Sequence, residues 1–319
     1  LSGANTYTGT TEIVDGTLTL VAAGGLETGG SLVVRGGSLD LGGNSQAVHS
    51  VQQTGGLIAN GTLTSATQYD MQAGTVTAVL AGSQGLKKES TGTLTLNGAN
   101  TYTGTTEVDQ GTLLLGASGR LDAGGRVEVG AGILDLGGTA QTLVAVQLAG
   151  GTIRNGTLTS TGSAFDLRAG TVDADLVGSR GLTKTTAGTV TLGGDNTYTG
   201  TTAIDGGTLA LGSAKALDGG GAIRFGGGTL QFSAQNTADY AARFSTQTGQ
   251  AVRLDTNGQD VTLDFALGSA IGGLTKLGVG TLTLTAANAY TGTTTVAGGT
   301  LKIGAAERLA DGSRLVVNG

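Results

Sequence analysis

Short segments of strict alternation run the length of the chain. In Thr17-Leu-Thr-Leu20, Leu32-Val-Val34, Leu39-Asp-Leu41, Thr62-Leu-Thr64 and Thr75-Val-Thr77, a period of two puts Leu or Val on one face and Thr, Asp or Ser on the other. Segments of this length and composition predict many short β-strands joined by tight turns. No stretch keeps a helical period over three turns; residues 237–244 come nearest, and they are few.

The alternation is embedded in a repeat. Asn-x-Tyr-Thr-Gly-Thr-Thr occurs at 5–11, 100–106, 196–202 and 288–294, spaced by 95, 96 and 92 residues. A second phrase, Gly-Thr-Leu, follows each copy from Gly16, Gly111, Gly207 and Gly299. A chain that repeats at nearly fixed length folds by stacking, each unit burying its apolar face on the next. The expected organisation is one solenoid segment made of units 1–95, 96–191 and 192–283 with a partial unit 284–319. The first two units align closely: Leu39-Asp-Leu-Gly-Gly43 matches Leu134-Asp-Leu-Gly-Gly138. The third keeps its beginning and its end (Gly272-Gly-Leu-Thr-Lys276), while residues 231–260 have drifted. Three short strands per coil make a coil of roughly 20 to 25 residues, hence about 13 or 14 coils stacked at the strand spacing. A propeller is the competing repeat fold, but its blades carry Trp or other aromatic markers, and this chain has no Trp. The expected class is all-β, a parallel β-helix. The chain opens at Leu1-Ser-Gly-Ala4 in the phase of Leu96-Asn-Gly-Ala99 and closes at 311–317 in the phase of 28–34, so it is expected to be an excerpt of a longer rod.

Composition sharpens this picture. Gly supplies 62 of 319 residues, with no Pro and no Cys. Without a three-residue period that is not collagen, and with recurrent Leu, Val and Ile it is not a disordered tract. A net charge of −6 and a pI near 4.7 argue against nucleic acid as a partner, since no Lys/Arg cluster faces phosphates. Lack of Cys removes disulfides and thiolate metal sites and is compatible with secretion through an oxidising compartment. No apolar run approaches the roughly 20 residues of a membrane helix.

The segment Gly92-Thr-Leu-Thr-Leu-Asn-Gly-Ala-Asn-Thr-Tyr-Thr-Gly-Thr-Thr-Glu-Val-Asp-Gln-Gly-Thr-Leu113 resembles the passenger-associated repeat of bacterial autotransporters, and it returns at 188–209 and 280–301. The resemblance implies a right-handed β-helix outside the outer membrane, type V secretion, vectorial folding, and the protein's own C-terminal outer-membrane β-barrel as a partner. It implies no particular ligand.

Several residues remain as candidates for chemistry or contact. Tyr7, Tyr102, Tyr198 and Tyr290 mark the repeat; the expected role is structural, with the ring covering a corner and the hydroxyl reaching a neighbouring coil, against a reading as sugar-stacking platforms. His49, beside Ser50, lacks the Gly-x-Ser-x-Gly turn of a hydrolase, and its counterpart in the next unit is Val144. Asp173 and Asp175 suggest acid/base work on a polysaccharide or Ca²⁺ binding, but they correspond to Thr77 and Val79 and read as solvated strand residues. Asp255, Asp260 and Asp264 fall in or beside the drifted stretch. Paired threonines raise ice binding, which irregular spacing argues against. The drifted stretch, through Gln231, Phe232, Tyr240, Arg243, Phe244 and Asp260, is the expected interaction region. The expected function is a non-enzymatic stalk that presents a distal domain or mediates adhesion to host surface, glycan or itself, and that assists export. No catalytic, cofactor or metal residue is assigned.

Overall fold

Leu94 and Leu96 are fully buried while Thr93 is exposed, so the Thr-Leu-Thr-Leu alternation is realised as the strand Thr93–Leu96 with its apolar teeth inward. Thr112–Leu115 repeats the arrangement through Leu113 and Leu115. The computed structural model describes all residues except 4, 118, 305–308, 311 and 319; Ala4 and position 311, used above to phase the two ends, lie outside the described residues. Among the described residues there is no α-helix, and 237–244 supplies only the 3-10 turn Ala241–Arg243.

Two compact units divide the chain, Leu1–Gly162 and Ser163–Gly319. In the first, the ladders resolved among the described residues are parallel, and successive coils stack strand on strand. One face stacks Thr10–Ile13, Ser31–Val34, Ser50–Gln53, Tyr69–Met71, Leu86–Lys88, Thr105–Val108, Arg126–Val129 and Ala145–Leu148. The second and third faces share long strands that bend. Ser38–Val48 pairs with Leu57–Ser65, and Ile133–Leu143 with Thr152–Ser160, each with a register break at the bend. In the coil from Ser31 to Val48, Leu32 and Val34, Leu39 and Leu41, and Val48 point inward from the three faces and are buried. Each such side chain contributes roughly 1.5–3 kcal/mol of gross burial.

The bend explains another repeated phrase. Asp40 Oδ1 accepts the Gly42 N–H at 2.9 Å, and from the next coil Asn60 Nδ2 donates to it at 3.1 Å. Asn60 sits at φ 56, a left-handed conformation that Asn tolerates. Gly61 follows it at φ 151, where a Cβ would lie 2.3 Å from the Asn44 carbonyl. Asp135 repeats the corner, accepting from Gly137, Asn155 and Arg154. Burial works to raise the Asp135 carboxyl, but those three donors outweigh it and hold the group below the usual carboxylate range.

The second unit begins with the same scheme. Phe165–Leu167, Leu182–Lys184, Thr202–Ile204 and Ile223–Phe225 stack on one face, and Gly170–Val172, Thr189–Leu192, Thr208–Leu211 and Thr229–Gln231 on another. It then changes. Leu230 pairs with Leu254, 24 residues on, and the intervening chain leaves the ladder to form the 3-10 turn. Longer strands, Gln250–Asp255 and Ile271–Leu277, carry the stack to Thr293–Val296.

Counted along the chain there are about 16 turns, more than the 13 or 14 expected. Several coils are tighter than 20 to 25 residues: Leu86 pairs with Tyr69, 17 residues back, and Thr93 with Thr112, 19 on. Some corners are only three residues long, as between Val34 and Ser38 and between Gln53 and Leu57, while connections such as 97–104 run between strands over a longer stretch.

Candidate functional site

In the three later copies of the first phrase the Asn is buried, and Asn100 and Asn196 each join three coils. Asn100 Oδ1 accepts the Leu80 N–H at 3.0 Å from 20 residues back, and its Nδ2 donates to the Gly98 and Arg120 carbonyls at 3.0 and 3.1 Å. Asn196 does the same with Leu176 N–H, Gly194 O and Ala216 O at 2.8, 3.2 and 3.0 Å. Asn288 accepts from Leu267 at 2.8 Å. The structural role of Asn100 is to satisfy backbone groups where residues 97–103 run outside a named strand.

The tyrosines mark the same corner. Tyr102, Tyr198 and Tyr290 are buried, and each hydroxyl shares a hydrogen bond with the Thr four residues on, Thr106, Thr202 and Thr294, at 2.7, 2.7 and 2.6 Å. The partner therefore belongs to the same phrase and not, as expected, to a neighbouring coil. The rings pack on aromatics of the coils beneath: Tyr102 on Tyr69 at 6.0 Å and Tyr198 on Phe165 at 6.4 Å between centroids. Burial raises the hydroxyl pKa of Tyr102 and Tyr290 and pushes those of Tyr69 and Tyr198 up to about 12. Tyr7 keeps the bond to Thr11 at 2.6 Å and is 41% exposed.

A third member of the set escaped the sequence reading. Lys88, Lys184 and Lys276 recur two residues after the Leu of Gly-Leu-x-Lys, and all three are wholly buried. Lys276 Nζ donates to the carbonyls of Leu277, Gly278 and Gly298 at 2.9, 2.7 and 3.0 Å. Lys88 Nζ contacts Ser90 O, Ser90 Oγ at 3.2 Å and Gln110 O at 3.2 Å; Lys184 Nζ contacts Thr186 O and Oγ1. Alternation places Lys88 on the same inward side as Leu86; the recurrence in phase was the available signal. The glycine opening the second phrase belongs here too: Gly111, Gly207 and Gly299 have φ of 64, 58 and 64°. A Cβ on Gly111 would meet the Gly92 and Ser90 carbonyls at 2.3 Å.

The other candidates are dispersed. Phe232, Tyr240 and Phe244 of the drifted stretch are buried, Phe244 edge-on to Phe225 at 5.1 Å. Gln231 donates to Asp255 at 2.8 Å, Arg243 to the Gly221 and Leu217 carbonyls, and Asp260 accepts the Thr281 N–H at 3.0 Å. Beside them a cleft of about 390 Å³ is lined by Phe244, Leu267, Ile271 and the half-exposed Phe265. Asp173 and Asp175 are separated by a bend between the strands Gly170–Val172 and Asp175–Val177, and Asp175 accepts the Asp195 N–H at 2.8 Å. Asp264 accepts from Thr285 at 2.6 Å. His49 is an exposed corner residue. Thr62 and Thr64 are flanked on their face by Ser45 and Ala47 below and Val79 and Ala81 above, so this pair is not stacked on others. Among the described residues no group of three or more His, Asp or Glu is placed to hold a metal ion.

A family model described as the passenger-associated transport repeat matches residues 1–20, 86–115, 182–211 and 274–303, about a third of the chain. Each of the last three stretches contains one buried Lys, Asn, Tyr and Thr and one positive-φ Gly of the set above. The chain is also similar to the adhesin BmaC autotransporter of Brucella suis biovar 1, 36% identical over 135 residues, which is 41% of this chain and 4% of that protein. It thus spans a small fraction of the length of the relative it matches. No solved structure matches.

Proposed function

We propose, for a chain that is a β-helical passenger segment of an autotransporter, that it is a non-enzymatic spacer whose coils support a more distal functional part and aid export by folding in sequence. The segment is extracellular, at the bacterial surface. One observation carries the proposal: the buried asparagine that recurs with the repeat is committed to bonds between coils, as Asn100 is to Leu80 and Arg120 and Asn196 to Leu176 and Ala216. A coil added to a formed stack gains burial and satisfies such groups together, so refolding outside the membrane opposes backsliding. In this reading the units 1–95, 96–191, 192–283 and 284–319 are duplications of the spacer, and the protein's own outer-membrane β-barrel is its partner. In-frame removal of 96–191 from the whole protein tests it: export and the distal activity are expected to persist with shortened reach, whereas loss of a binding or enzymatic activity residing in those residues contradicts it.

A second reading, adhesion by the segment itself, is favoured by the relative's description as an adhesin. The contact region in that reading is the lengthened coil containing Gln231, Phe232, Tyr240, Arg243, Phe244 and Asp260, with Phe265 exposed beside it. Binding of the purified chain to host matrix, glycan or itself, abolished by Phe265→Ser, is the outcome this reading requires; unchanged binding on that substitution removes the assignment.

A further inference from the structure

A primary ammonium has three N–H donors and no acceptor. Lys276 Nζ meets three backbone carbonyls, those of Leu277, Gly278 and Gly298, at 2.7–3.0 Å. These are acceptors only, so they match the charged amine; a neutral amine would turn its lone pair on one of them. The ion pairs resolved among the described residues do not include Lys88, Lys184 or Lys276. Burial lowers the pKa of all three, with Asp255 working in the opposite direction on Lys276. The second phrase closes over the site: a Cβ on Gly299 would come within 2.9 Å of Lys276 Nζ. Lys88 is held in the same way, by Ser90 and by Gln110, the residue before Gly111.

We propose that the backbone of each lysine-bearing transport repeat, at 86–115, 182–211 and 274–303, builds a binding site for a primary ammonium, walled by the carbonyls after its Lys strand and before its Gly-Thr-Leu strand one coil on, and that the chain fills this site with its own lysine. The site exists only when the two coils are stacked in register, so the cation selects that register. Chemically, the site is separable from the side chain that fills it. Lys276→Ala removes the propylammonium portion beyond Cβ and leaves the carbonyls without donors, and n-propylammonium added in solution has the same donors and length.

The test is thermal unfolding of the 319-residue chain at neutral pH. Lys276→Ala and Lys276→Met are both expected to lower the midpoint, by on the order of 5 °C, since a charged-group hydrogen-bond set is lost. Millimolar n-propylammonium is expected to restore Lys276→Ala saturably; tetramethylammonium, which has no N–H, is not, and Lys276→Met is not restored because its side chain fills the space. A Lys276→Met chain as stable as the parent, the result common when buried charges are replaced by apolar groups, overturns the proposal. So does equal stabilisation of Lys276→Ala by both cations. If the variants fail to fold, ¹⁵N NMR of the unaltered chain decides: three protonated lysine Nζ groups in slow exchange with water are expected, and neutral or freely exchanging amines at all three positions contradict the site.

Discussion

Asn100 reaches the carbonyl of Arg120, 20 residues further along the chain, at 3.1 Å. With its other end on the N–H of Leu80, it ties a coil to both neighbours. Asn100→Ala therefore removes three side-chain bonds and leaves the Leu80 N–H buried without its acceptor, a loss of about 3 kcal/mol. Asn5→Ala, which gives up a single intercoil bond to Gly25 at a more open site, is expected to cost about 1 kcal/mol or less. Urea midpoints followed by circular dichroism rank the two.

Tyrosine substitutions separate ring from hydroxyl. Tyr102→Phe loses the bond to Thr106, about 1 kcal/mol, and Tyr102→Ala empties a buried aromatic site next to Tyr69 for about 3–5 kcal/mol. Tyr7→Phe, at an exposed ring, is expected to fall within about 0.5 kcal/mol of the parent. A large effect at Tyr7 in binding with none in stability would instead revive the stacking-platform reading.

At Gly111 a side chain meets both a left-handed φ and backbone oxygens at 2.3 Å. Gly111→Ala is expected to cost more than about 2 kcal/mol. Gly220 has φ 77° with nothing within 4 Å of the added Cβ, so Gly220→Ala carries the conformational cost alone, about 1 kcal/mol. Thermal midpoints of the two variants give the difference.

Alkali acts through the buried phenols. Their pKa is raised in the folded state, to about 12 for Tyr69 and Tyr198, against about 10 unfolded. Their contribution to stability is therefore complete below pH ~10 and is lost as pH rises from there through about 12. Tyrosinate absorbance from these rings is expected to appear together with loss of the β-sheet dichroism; earlier ionisation of all the rings in a still-folded chain would contradict their burial.

How much of this was legible follows from what each residue does locally. Leu94 and Leu96 sit where alternation puts them, because strand pleat alone decides their side. The Asp40 side of the corner was visible in the repeated Leu39-Asp-Leu-Gly-Gly43 phrase, but its hydrogen bond to Asn60 joins residues 20 apart and so needs the register of the next coil. Lys88 followed the pleat inward against the ordinary preference of lysine for water; the carbonyls that reconcile it come partly from the next coil. Residues 231–260 read as a drifted interaction region, yet the rings of Phe232, Tyr240 and Phe244 turn inward. Aromatic residues in a divergent segment do not reveal from sequence whether they face solvent or close a gap.

The repeated asparagines serve to stack coils, as Asn100 and Asn196 do through bonds to the coils on either side. The most direct measurement is the rate at which surface-exposed passenger becomes protease-resistant in cells producing the whole protein with Asn100, Asn196 and Asn288 all changed to Ala. Delayed or reduced resistance on the cell surface is expected, with binding per folded molecule unchanged. Export and resistance at the parental rate, accompanied by loss of adhesion or other binding, would contradict it.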